Sequence, residues 1–110
     1  VVLDNQLEDD PRFGNLRVGC VADCLARPED ADAVIDAATR FLRARGVDMI
    51  GSNQSHPAWI RAFARAGYVI LENRRCFAVS PAFQEALSPF ETVSAGLHLT
   101  NMDGHGPSGF

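Results

Sequence analysis

The sequence predicts an α/β fold: a mixed sheet with two crossover helices. Residues 27–68 read as a helix, a short apolar strand, a second helix and a Gly67-Tyr68 exit into another strand. A strand-like run, Leu16–Leu25, stands immediately before them. Parallel strands need a crossover connection, and a helix between two strand-like runs is the usual one.

At 110 residues, with 46% hydrophobic and 22% charged side chains, there is material for one core and no second lobe. A single domain is therefore expected over 1–110: a β-hairpin over 1–25, an α-β-α-β core over 27–79, then a short helix, a last strand and a flexible tail over 80–110. Val1–Leu3 is short and apolar, and a polar loop runs from Asp9-Asp10-Pro11 to Gly14-Asn15. Leu16–Leu25 alternates, with Leu16, Val18, Cys20, Ala22 and Cys24 on one face. Cys20 and Cys24 would lie about 13 Å apart along a strand, too far to bond. They read as small buried residues under a helix.

Pro28 suits the first turn of a helix, and Glu29, Asp30 and Asp32 favour its positive end. Ala31, Val34, Ile35, Ala38, Phe41 and Leu42 make one apolar stripe. Asp36 and Arg40 have i,i+4 spacing, Arg43 and Arg45 suit the negative end, and Gly46 closes the helix. Val47–Gly51 is a short strand. Ser55 is the expected N-cap of a second helix with Trp59, Ile60, Phe63 and Ala66 inward and Arg61 and Arg65 outward, ending at Gly67. Trp59, Phe63 and Phe41 are expected in the core. Tyr68–Val79 reads as a returning strand, Ser80-Pro81 opens a helical turn to Leu87, and Leu97–Thr100 is a last strand. Gly104, Gly106, Pro107 and Gly109 disfavour regular structure in the tail.

Composition removes several function classes. A net charge of −4 argues against nucleic acid, which needs a basic face to release counterions. All ten basic residues are arginine, so a lysine Schiff base or a Walker-type phosphate loop has no lysine to use. No run of 18 apolar residues exists to span a membrane, and the start lacks the pattern of a signal peptide. Three cysteines, Cys20, Cys24 and Cys76, fit a reducing compartment, and a cytoplasmic location is expected. The chain starts in a strand without Met, which suggests one part of a longer protein. His56, His98 and His105 lack zinc-ligand spacing, and no G-x-S-x-G is present.

The order hairpin, helix, strand, helix, strand, strand is similar to the C-terminal half of an acyl-CoA N-acyltransferase of the GNAT superfamily. The resemblance covers Leu16 to Asn101 and rests on this order and on Arg65-Ala66-Gly67-Tyr68 after an amphipathic helix. Ser55-His56-Pro57-Ala58-Trp59 and Leu97–Gly104 also look like divergent GNAT-like domains of bacterial proteins. The resemblance implies acetyl-CoA or another acyl-CoA, with the thioester between Cys20–Leu25 and Met49–Asn53, and Cys24, Leu25, Arg27 and Asn53 as binding residues. In the family's pyrophosphate signature, Arg27 matches while Asp30 and Asp32 stand at the glycine positions, beside Glu29. Phe63 occupies the place of the tyrosine that protonates the thiolate, and His56 that of an asparagine opening the second helix. His56, at the start of the second helix, and Tyr68 are the remaining catalytic candidates. Because the family's N-terminal half is not in these residues, a homodimer or an N-terminal domain is the expected partner. Two functions follow: an acyl-CoA-dependent N-acetyltransferase-like domain, or a non-catalytic GNAT-like interaction module that pairs with another domain or chain.

Overall fold

The computed structural model describes residues 1–71 and 79–100. Strands β1 (Val2–Gln6) and β2 (Arg17–Val21) pair antiparallel, from Val2 opposite Val21 to Gln6 opposite Arg17. The loop between them is held by Asp10, whose carboxylate accepts from the amides of Arg12 and Phe13 at 2.8 and 2.9 Å. Strand β3 (Met49–Ser52) lies parallel to β2, giving a three-stranded mixed sheet in the order β1-β2-β3.

The helix joining β2 to β3 is α1 (Ala31–Ala44), entered through a 3-10 turn at Pro28–Asp30. It buries Ala31, Ile35 and Leu42, the last two completely. Its close approach to the sheet depends on Gly19 in β2. A Cβ there would come within 3.1 Å of a Leu42 methyl and 3.3 Å of Val47. Gly46, at φ +75°, ends the helical run without the penalty a side chain would bring. Helix α2 (Pro57–Arg65) buries Ala58, Trp59, Ala62 and Phe63, so α1, α2 and one sheet face share a single core. Asp36–Arg40 on α1 and Asp32–Arg65 between the helices are ion pairs at 2.7 Å.

Several expectations are corrected. β2 stops at Val21 rather than Leu25, because the Val21 carbonyl is taken by the side chains of Ser52 and Gln54 instead of a continuing ladder. Nor is only one of its faces covered: Gly19 and Val21 are buried as well as Val18 and Cys20. Phe41 is 52% exposed. At 3.6 residues per turn it sits about 120° around the helix from Ile35, and the Arg45 guanidinium, 5.7 Å from its ring centroid, covers it instead. Ser55 does not cap α2; His56 does.

The remainder is two short helices, α3 (Pro81–Ala86), capped by Ser80, and α4 (Phe90–Ser94), which the sequence reading did not anticipate. Neither buries a residue. Of the strand expected over Tyr68–Val79, residues 68–71 are not in a strand and 72–78 lie outside the described residues. Leu97–Thr100 is likewise not a strand: Leu97 and Leu99 bond to Ser55 rather than to a sheet edge. The expected tail, with His105, and Cys76 also fall outside the described residues. No helix among the described residues is long and apolar enough to cross a membrane.

Candidate functional site

A set of polar side chains comes together at the C-terminal end of the parallel pair β2–β3, where ligands of open α/β sheets characteristically bind. Immediately after β3 the chain is polar, Ser52-Asn53-Gln54-Ser55, before α2 begins. Ser52 Oγ donates to the Val21 carbonyl at 2.7 Å. Gln54, only 7% exposed, donates from Nε2 to the same carbonyl at 3.4 Å. Its Oε1 meets His98 Nε2 at 2.7 Å. Ser55 fastens the 97–99 segment: its Oγ donates to Leu97 O at 2.8 Å and accepts from Leu99 N at 2.6 Å, while its own amide donates to Leu99 O.

These contacts assign the imidazole protons. With the Gln54 amide nitrogen turned to a carbonyl, Oε1 must be the atom facing His98, so His98 Nε2 carries the hydrogen. His56 Nδ1 accepts from the Ala58 amide at 3.2 Å, so in the neutral ring the hydrogen is on Nε2. The His98 ring stacks on Trp59 with centroids 6.0 Å apart and 21° between planes. His56 meets the same ring edge-on at 6.1 Å. The result is a cluster of two imidazoles, an indole and a buried amide, with no charged side chain in these contacts.

The structure separates the residues singled out from the sequence. His56 belongs to this cluster as the cap of α2, one position before the N1 site taken by Pro57. Asn53 is half-buried beside Gln54. Cys24 is part of the core with Ile35, Trp59 and Phe63, and burial pushes its thiol up, away from the reactive thiolate. Leu25 projects outward, 97% exposed. Arg27 is exposed at the helix entry, 3.9 Å from Glu29. Tyr68 lies past the other end of α2, its ring edge-on to Phe63 at 4.9 Å. Thr39 gives its hydroxyl hydrogen to Ile35 O, so the 2.8 Å contact is a donation from Tyr68 to Thr39. That end carries a separate open groove of about 370 Å³, lined by Thr39, Arg43, Asp48, Ile50 and Tyr68.

Sequence reasoning missed Gln54 and His98. The signal for Gln54 was present: a long amide inside a polar run following an apolar strand. His98 carried none, because its role depends on a segment more than forty residues away returning to Gln54. Among the described residues no cluster of three or more His, Cys, Asp or Glu could hold a metal ion. Compared with protein-family models, curated proteins and solved structures, the chain matches none of them.

Proposed function

We propose that this chain is the cofactor-side half of a GNAT-like acyl-CoA N-acyltransferase fold that acts together with another domain or chain and by itself holds acyl-CoA weakly. The observation that carries the reading is the β2-α1-β3-α2 unit, with its buried amide and paired imidazoles at the carboxyl ends of two parallel strands. That end offers neutral hydrogen-bonding groups on an aromatic floor, an environment suited to the amide and acyl portion of a thioester cofactor. Exposed apolar side chains support the need for a covering partner: Val69 and Leu71 are 83% and 81% exposed.

The pyrophosphate end fits poorly. Glu29, Asp30 and Asp32 crowd the entry to α1, and the Asp32 carboxylate is already paired with Arg65 at 2.7 Å. Carboxylates within ~6 Å of a pyrophosphate each cost about 1–3 kcal/mol at an effective dielectric near 20. Phe63, buried at 4% exposure, has no proton for a leaving thiolate. These two features favour a second reading, a GNAT-like module that binds a partner and does no chemistry. Calorimetric titration with acetyl-CoA at low salt distinguishes them. The expected wild-type dissociation constant is weaker than about 10 μM. Asp30→Gly with Asp32→Gly should tighten it at least about tenfold. No change on removing both carboxylates would leave the loop without a phosphate role and favour the interaction module.

A further inference from the structure

We infer that Trp59 and Gln54 form a receptor for a flat, neutral group carrying an N–H, and that His98 fills this receptor from within the chain as a displaceable occupant. The inference goes beyond the acyltransferase reading and does not depend on which cofactor the chain takes. His98 makes two contacts of the kind that recognise a ligand. Its ring lies on the Trp59 indole with 21° between planes, and its Nε2–H reaches Gln54 Oε1 at 2.7 Å. Both partners are positioned by the body of the fold. Trp59 belongs to the core with Ile35 and Phe63, and Gln54 Nε2 is turned to the Val21 carbonyl at the end of β2. The receptor therefore stands at the carboxyl ends of the two parallel strands, whether or not His98 is on it.

The occupant is fastened on either side of its ring. Ser55 Oγ donates to Leu97 O at 2.8 Å and accepts from Leu99 N at 2.6 Å, and the Ser55 amide donates to Leu99 O at 3.0 Å. Helices α3 and α4, which lead into this segment, bury no residue, and Leu97 and Leu99 are themselves only half-buried. Lifting His98 away thus leaves the core in place, but it takes from Gln54 Oε1 the donor that this 7% exposed side chain uses. A buried acceptor that loses its donor is costly. The vacated place therefore favours a molecule that brings an N–H back over one that merely fills space. Stacking on the indole requires that molecule to be flat, and the absence of a charged side chain in these contacts requires it to be neutral.

Imidazole, the ring of His98 as a free molecule, is the probe, used on the whole chain at about pH 8.5, where it is neutral. The indole N–H signal of Trp59, the single tryptophan, reports the site by NMR. In His98→Ala imidazole should shift this signal saturably, with a dissociation constant on the order of 1–10 mM for so small a ligand. N-methylimidazole, which can stack but has no N–H, should bind at least about tenfold more weakly. Ser55→Ala keeps His98 but removes the hydroxyl that fastens its segment, so imidazole should bind this variant at least about threefold more tightly than the wild type. A folded His98→Ala that gives no saturable shift, or that binds both probes equally, would overturn the proposal. Unfolding of His98→Ala would do so too, because a displaceable occupant can be removed without loss of the fold. So would a Ser55→Ala variant that binds imidazole no better than the wild type, since the 97–99 segment would then not compete for the site.

Discussion

At the N-terminal end of the parallel β2–β3 pair, the closing groups are charged. Asp4 receives Arg17 at 2.6 Å and Arg45 at 3.2 Å, and Asp48 accepts from the Arg17 amide at 2.8 Å. The C-terminal end is closed by neutral groups: Ser52 and Gln54 on the Val21 carbonyl, and His98 on Gln54. Exposure explains the division. Asp4, Arg17 and Arg45 keep part of their side chains in water, so the charges are not stripped of solvent. Gln54 is nearly buried, where a charge would be expensive and an unpaired amide only less so. One end is therefore tunable by salt and acid, whereas the other depends on geometry and burial.

The contrast breaks most visibly at Trp59, the floor of the neutral end. Trp59→Ala should cost about 3–5 kcal/mol in urea unfolding, because it removes both core volume and the surface under His98. A loss below about 1 kcal/mol would mean that this end does not contribute to the common core. Next in size is Gln54→Ala, which strands the His98 N–H and removes a donor from Val21 O. The expected loss is about 1–3 kcal/mol, with little dependence on salt. A strong salt dependence would contradict the neutral character assigned to this end.

The smallest effect belongs to the charged end and is a matter of pH. Hydrogen bonds from Arg17, then from Arg45, hold the Asp4 carboxyl below its ordinary value in the folded chain. A carboxyl with a depressed folded pKa contributes stability above its unfolded value and loses it as pH falls through the folded one. Asp4→Asn should therefore lower stability at neutral pH and flatten the acid limb below about pH 4, with the difference shrinking in high salt. Asp10, held down by the amides of Arg12 and Phe13, should keep a residual acid limb in the variant. Parallel acid limbs in wild type and variant would remove Asp4 from this account.

Much of this architecture is local and could be read from the chain. The stripe through Ile35 and Leu42, the glycines at 46 and 67, and Trp59 with Phe63 on one face specify two helices and their inward sides, because periodicity and left-handed glycine positions need only near neighbours. The acidic start at Glu29–Asp32 was equally legible. Tertiary structure decided the rest, through contacts between residues far apart in sequence. Phe41 lies on the apolar stripe, yet the sheet reaches only the Ile35–Leu42 side, so it faces outward. Ser55 has the chemistry of a cap, but Leu97 and Leu99 claim its hydroxyl and leave the role to His56. The pairing of Gln54 with His98 arises only because 97–99 folds back across more than forty residues, a juxtaposition that no local pattern encodes.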